Sequence, residues 1–373
     1  MSPLTPTEIE LRRIHLDLVT PFRTSFGSQT SREILLIGLR TSEGVEGWGE
    51  CVALIDPVYS PEYVDGVVDV IDRFMAPALF AAGPSRAADV VETLGHFKGH
   101  QMAKAALEMA FLDAELRAAG TTFHQRLGAN RDRVPSGVSV GIFGTIDELL
   151  AAVQGYIDEG YARIKLKIEP GWDIEPVRLV RELIGPETGL QVDANTAYTR
   201  ADIEHLRRLD EFDLLLIEQP LETDDLLGHR DLARAINTPV CLDESIESFT
   251  QAVDAVEIGA AEIINIKPGR VGGYLTAVRI HDMCRAKNIP VWCGGMLETG
   301  IGRAANCALA SLDGFTLPGD ISASTRFYAR DIVLEPIAIV DGHVAVPDAP
   351  GLGFELDNDF LDSITSSVQR LSP

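Results

Sequence analysis

The sequence predicts an α/β protein: a modified (β/α)8 TIM barrel with an α+β capping domain. Three observations predict it. The chain has 373 residues, which at about 150 residues per domain makes two domains, or one barrel with an attached piece. Beyond Pro135, short apolar runs alternate with amphipathic helical stretches, the pattern of βαβ units and a parallel sheet. A charged residue closes one run after another at a nearly constant interval.

Residues 1 to about 60 read as strands and turns. EILLIGLRTSEG ends in a Ser-Glu-Gly turn and leads into VEGWGECVAL, a hairpin-like pair. From about 61 to 119 the period becomes helical. FKGHQMAKAALEMAFLDAELRAAG is rich in Ala, Leu, Glu and Met, stops at Gly120, and carries Met102, Leu107, Met109 and Phe111 as a core stripe. Residues 1–130 are therefore the capping domain. The runs VSVGI, RIKLKI, GLQVDAN, DLLLIEQP, TPVCLDES, EIINIKPG and IPVWCGG build the barrel over 131–324. From about Phe327 the repeat ends; RDIVLEPIAIV and GHVAV are strand-like, and 325–373 is expected to rejoin the capping domain.

Composition narrows the function classes. With 46% apolar and 24% charged residues the chain is an ordinary globular one. Its net charge of −24 repels phosphate backbones and anionic lipid, so nucleic-acid and membrane partners are not expected. Cys51, Cys241, Cys284, Cys293 and Cys307 show no C-x-x-C spacing, which excludes a thiolate zinc site and fits a reduced, cytoplasmic setting. MSPLTPTEIELRR has no apolar core behind a basic start, so no export signal is read there.

The closing charges carry the chemistry. Lys167, Asp193, Glu218, Asp243 and Lys267 follow one another at 26, 25, 25 and 24 residues, the length of one strand, one helix and two loops. Each ends a strand at its carboxyl end, where a (β/α)8 barrel builds its active site. Three converging carboxylates, Asp193, Glu218 and Asp243, need a counter-ion. An all-oxygen set selects a hard ion, Mg2+, with Mn2+ or another divalent ion serving in its place. Lys165 and Lys167 are two apart on RIKLKI and face the barrel interior together. By strand count Lys167 is on strand 2 and Lys267 on strand 6 of eight, diametrically opposed, with the carboxylates between them. Two opposed amines flanking a metal-chelated carboxylate substrate suit removal of an α-proton from one face and its return to the other. A lysine base needs a lowered pKa, and Lys165 beside Lys167 and Arg270 beside Lys267 are the candidate perturbing groups.

Other patterns are set aside. Gly137-Val-Ser139-Val-Gly141 fits G-x-S-x-G, but the serine lies within a strand and no strand-end histidine accompanies it. His96 and His100 share a helical spacing without the glutamate of H-E-x-x-H. Cys293 reads as a packing residue.

Lys165-x-Lys167, Asp193, Glu218, Asp243 and Lys267 resemble the muconate-lactonizing subgroup of the enolase superfamily. PFRTSFG, GWGEC, YARIKLKIEPGWD, LQVDANTAYT, LLIEQPLE, CLDESI, NIKPGRVGGY, PVWCGGMLETG and GRAANCALASL extend the likeness, within that subgroup, to the N-acylamino acid racemase/o-succinylbenzoate synthase family. The resemblance implies that Lys167 and Lys267 are the acid/base pair, Lys165 an electrostatic modulator, and Asp193, Glu218 and Asp243 the metal ligands. It places Asn195, Asn265 and Arg270 near substrate. It implies that loops Pro21–Ser28, with Phe22 and Phe26, and Ala53–Tyr63 close over the barrel, while Ser139, Gly294, Gly295, Met296, Leu297 and Phe327 hold an acyl arm. The implied activity is racemisation of N-acylamino acids, N-succinyl ones among them, with o-succinylbenzoate synthase activity through a shared enediolate. The alternatives on this scaffold are a dipeptide epimerase and a muconate-type cycloisomerase. The partner is a small carboxylate substrate, and a symmetric homo-oligomer is expected.

Overall fold

The computed structural model describes residues 2–373. The chain opens with β1 (Pro6–Thr24) and β2 (Gly27–Thr41), a long antiparallel hairpin to which β3 (Glu46–Cys51) adds. Ile9, Leu11, Ile14 and the run Ile34–Ile37 are buried, on both faces of the sheet, and this burial fixes the register. The helix Gln101–Ala119 lies across this sheet and is buried for most of its length. It comes close because β3 carries glycine at 47 and 49, where a side-chain carbon would run into the carbonyls of Ala110 and Ala106. The GWGEC string is thus a helix-docking surface.

Among the described residues, seven parallel strands form the barrel in chain order: β5 (Gly137–Val140), β6 (Arg163–Lys167), β7 (Gly189–Asp193), β8 (Ile217–Glu218), β9 (Val240–Leu242), β10 (Ile263–Ile266) and β11 (Val291–Cys293). Each is followed by helical structure. The eighth place departs from the expected strand. Residues 315–320 bridge both ends of the sheet, with Val291 opposite Phe315 and Ser136 opposite Gly319. Gly137 N donates to Gly319 O at 2.8 Å, and Asp320 N to Cys293 O at 2.9 Å. Pro318 has no N–H to give a ladder, which keeps this segment irregular. Buried Arg163 holds it instead, donating to Asp320 Oδ1 at 2.7 Å and Pro318 O at 2.8 Å.

The C-terminal part returns across the molecule. β12 (Ile339–Val340) and β13 (His343–Ala345) form a small sheet with β4 (Arg133–Pro135), and β14 (Thr365–Leu371) pairs antiparallel with β1, Ile9 opposite Leu371. Of RDIVLEPIAIV only the last two residues form a strand. No helix of the described residues is long and apolar enough to cross a membrane.

Two carboxylates fasten the capping elements to the barrel. Glu50, in β3, accepts from Thr299 N, Thr299 Oγ1 and Gly302 N at the start of the helix Gly300–Ala310. Glu108 accepts from Tyr274 N and Leu275 N, both at 2.9 Å, at the start of the helix Tyr274–Ala286. These N–H groups have no partner inside their own helices. Burial, which outweighs these bonds, pushes both carboxyls up to about 7. Glu108→Ala is expected to cost about 2–4 kcal/mol in denaturant unfolding, since two buried donors lose their partner. A carboxyl whose folded pKa is raised stabilises fully below its unfolded value and loses that contribution as pH climbs through about 7. Unfolding at pH 5 and pH 7.5 should therefore show a smaller fall in stability for Glu108→Gln than for the wild type.

Candidate active site

β6 alternates strictly, so Arg163, Lys165 and Lys167 all point into the barrel, and all three are buried. Lys167 sits opposite Asp193 in the β6–β7 pairing. Its Nζ donates to Asp193 Oδ2 at 2.6 Å and Asn195 Oδ1 at 2.7 Å. One turn of the pleat deeper, Lys165 Nζ reaches Glu218 Oε2 at 3.1 Å, Asp193 Oδ2 at 3.1 Å and Asp320 Oδ2 at 2.7 Å. Its ammonium also lies 4.8 Å from the Trp292 ring centre.

Four places round the eight-place ring, Lys267 follows β10. Its Nζ donates to Asp243 Oδ2 at 2.8 Å and Tyr59 Oη at 3.2 Å. Arg270 grips the same Asp243, and it also donates to Ile246 O and Asn265 O, both at 2.7 Å. Asn265 in turn donates to Glu218 Oε1 at 2.7 Å, and Asn195 to Glu244 Oε1 at 2.8 Å. The chain leaves β7, β8 and β11 through left-handed residues Asn195, Gln219 and Leu297, with φ of 41°, 37° and 57°. Such backbone costs energy at a non-glycine residue and persists where its surroundings enforce it.

The electrostatics separate the two outer lysines. Burial lowers Lys167, and the Lys165 charge adds to this against the pull of Asp193. For Lys267 burial acts the same way, but Tyr59 and the carboxylates Glu244, Glu218 and Asp193 outweigh it and hold its pKa above the ordinary lysine value. Arg270, the expected perturbing group, pairs with Asp243 and is not among the main groups acting on Lys267. Lys165 is likewise held high by Asp320, Glu218 and Asp193 against its burial. Burial and the Asp193 charge raise Glu218, and the same causes push Glu244 up to about 7.

Asp193, Glu218 and Asp243 stand at the ends of three successive strands, all buried. As they stand, no three His, Cys, Asp or Glu side chains among the described residues converge on one ion position. Asp193 and Glu218 meet at Lys165, whereas Asp243 faces Arg270, Lys267 and Tyr59. The donor chemistry nevertheless fits a hard divalent cation. The set is all oxygen, Glu218 is held up by its anionic neighbour, and the buried Oε2 of Glu244 beside it has no partner.

A partly open cavity lies above these groups. Phe22, Phe26, Ser139, Lys165, Lys167, Asn195, Lys267, Gly295, Met296, Leu297 and Phe327 line it together. Gly294, Asn265 and Arg270 do not. A side chain at 294 would run into the Asn265 amide, so this glycine makes room for Asn265 and not for an acyl arm. Asn265 and Arg270 act from behind the wall, on Glu218 and Asp243. Cys293 is buried, with its thiol raised well above the usual range by burial, as a packing residue would be. Arg32, Tyr59, Glu298, Arg303 and Asp320 also line the cavity without being singled out by sequence. Tyr59 falls in the loop expected to close, which is the signal for it, and Asp320 ends the irregular eighth segment, which strand counting can reach.

Fold and site together define an enzyme scaffold of the enolase type, a capped barrel with a lysine–carboxylate mouth. The chain belongs to the enolase superfamily: residues 8–128 match the mandelate racemase / muconate lactonizing enzyme N-terminal domain, and residues 148–360 the enolase C-terminal domain-like family. It is 61% identical over 359 residues to an N-succinylamino acid racemase of Amycolatopsis sp, covering 96% of this chain and 97% of that one. It is 44% identical to an o-succinylbenzoate synthase of Geobacillus kaustophilus, covering 95% and 94%. A crystal structure of an enolase superfamily member from Listeria innocua superposes with a TM-score of 0.95 at 38% identity, covering 100% of both chains.

Gly294→Ala tests the packing role of this glycine. By displacing Asn265 from Glu218 it should cost about 1–3 kcal/mol of stability and lower kcat by the same factor for small and bulky acyl groups. A loss confined to bulky acyl groups would return Gly294 to the acyl pocket.

Proposed function

We propose that this enzyme is a divalent-metal-dependent N-succinylamino acid racemase that also has o-succinylbenzoate synthase activity. One observation carries the proposal. Two buried amines, Lys167 and Lys267, enter one cavity from strands four places apart in the ring, with the carboxylate-bearing strand ends between them. The names of the relatives described above support the acyl group.

Asp193, Glu218 and Asp243 would hold Mg2+, which supplies the positive charge that makes a proton α to a carboxylate acidic. Holding it with all three requires Asp243 to give up part of its contact with Arg270. In racemisation Lys167 takes the α-proton from one face of the substrate and Lys267 delivers a proton to the other, or the reverse for the opposite enantiomer. In the synthase reaction Lys167 abstracts the proton, while the Lys267 ammonium faces the developing anion as water departs. Lys165, locked among three carboxylates, stays charged and adds positive potential beside Lys167. Phe22 near the end of β1, Phe26 in the tight turn that follows it, and Tyr59 in the next capping-domain loop wall the reacting centre from water; the Pro21–Ser28 segment expected as a loop is thus mostly strand.

The test is α-proton exchange of both enantiomers of an N-succinylamino acid in D2O, followed by NMR. Wild-type enzyme should exchange and racemise both. Lys167→Ala and Lys267→Ala should each abolish racemisation, a loss of at least about 10³-fold, because neither face can be served without its amine. Exchange of a dipeptide or turnover of a muconate, with N-succinylamino acids left untouched, would overturn the assignment. Chelator should remove racemase and synthase activity together, and added Mg2+ or Mn2+ should restore both.

A further inference from the structure

The cavity holds one cation that the chemistry above leaves unused. Arg32 lies in β2, on the capping-sheet wall, with only 3% of its surface exposed. Its Nε has no hydrogen-bond partner, and the one bond its side chain makes is from Nη1 to the Gln29 amide oxygen at a long 3.5 Å. No carboxylate of the described residues pairs with it. The other cations in the cavity are all committed. Lys165, Lys167 and Lys267 lie on Asp and Glu side chains, and Arg303 donates to Glu298 O and Ser322 O. The anions are committed as well: Asp320 to Arg163 and Lys165, and Glu298 to Met296 N and Asn306. A buried guanidinium without an anion is costly unless a ligand supplies one.

Arg32 also stands at a junction. A second, partly open cavity under the two capping loops shares Phe26, Gln29, Arg32 and Leu54 with the first. The far end of a ligand anchored at the strand-end carboxylates would meet Arg32 there. The fork of a guanidinium matches a carboxylate with two parallel hydrogen bonds.

We infer that Arg32 is a specificity-determining residue that binds the terminal carboxylate of a dicarboxylic acyl arm, leaving the substrate's other carboxylate to the metal end of the cavity. The inference rests on the proposed function, since a succinyl group carries such a second carboxylate whereas acetyl or butanoyl groups do not. Ser139, whose buried Oγ lines the same cavity without a partner, is free to serve the polar middle of the arm.

The experiment compares an N-succinylamino acid with its terminal-amide counterpart, the same arm without the charge. Both are assayed with wild-type, Arg32→Gln and Arg32→Lys enzymes in the presence of Mg2+, by kcat/KM for α-proton exchange and by calorimetric binding. Arg32→Gln should lose about ten- to hundredfold on the succinyl arm, mostly in KM, and little on the amide arm, the scale of one lost charged hydrogen-bonding pair. Arg32→Lys should recover part of the preference. Because both arms are measured on one preparation, a partly misfolded variant leaves their ratio intact. An equal loss on both arms, or an unchanged preference, would overturn the inference. If wild-type enzyme exchanges neither substrate, the racemase reading fails, and the calorimetric ratio still decides for or against Arg32.

Discussion

The structure turns on charge compensation among side chains almost closed to solvent. Lys165 is surrounded by Asp193, Glu218 and Asp320, which come from two neighbouring strands and from the irregular segment that closes the ring. Each of these ions alone would cost several kcal/mol to bury. Together they bind the ends of β6, β7 and β8 to the eighth place, where backbone pairing is incomplete. Arg163 continues the set one layer down, so the ring is closed by ion pairs where it lacks a ladder. The groups that make the site reactive are also the ones that close the barrel around it.

The same logic joins the capping elements to the barrel. Glu50 and Glu108 are buried carboxyls, tolerated because each meets backbone N–H groups that a helix leaves unpaired. Gly47 and Gly49 let the helix bearing Glu108 approach β3 closely enough for both anchors to reach. The loops carrying Phe26 and Tyr59 extend from this fastened body. Asp243 shows the principle at the reacting end: it is shared by Arg270 and Lys267, while Tyr59 and the carboxylates Glu244, Glu218 and Asp193 hold Lys267 charged against its burial.

How far the sequence was legible follows from what is local and what is not. The strand-end charges could be read because their spacing keeps phase with a repeat of fixed length, and the structure sets Lys167, Asp193 and Glu218 at or beside the ends of their strands. The eighth place was not legible as irregular, because Pro318 and Gly319 look the same in a loop as in a broken strand. Gly294 misled, since its neighbour Asn265 lies on another strand and only the fold shows that the two touch. The partner of Arg270 is not legible for a similar reason: its place three residues after Lys267 does not say which carboxylate the guanidinium will choose. β14 gave no signal because TSSVQRL is an exposed edge strand without apolar alternation. Arg32 carries no signal in the sequence, because one polar residue ahead of a buried apolar run is common, and its lack of a partner is visible only in three dimensions.

The pairing of β14 with β1 has a consequence for how the molecule is made. Ile9 meets Leu371 and Glu10 meets Arg370, so β1 depends on a strand about 360 residues further along the chain before its sheet has four members. Closing so long a loop early carries a large entropic penalty. A β1–β2 hairpin formed before β14 arrives has an open edge of unpaired backbone groups. Chaperone dependence and sensitivity to premature termination should accordingly gather at this edge, far from the lysines.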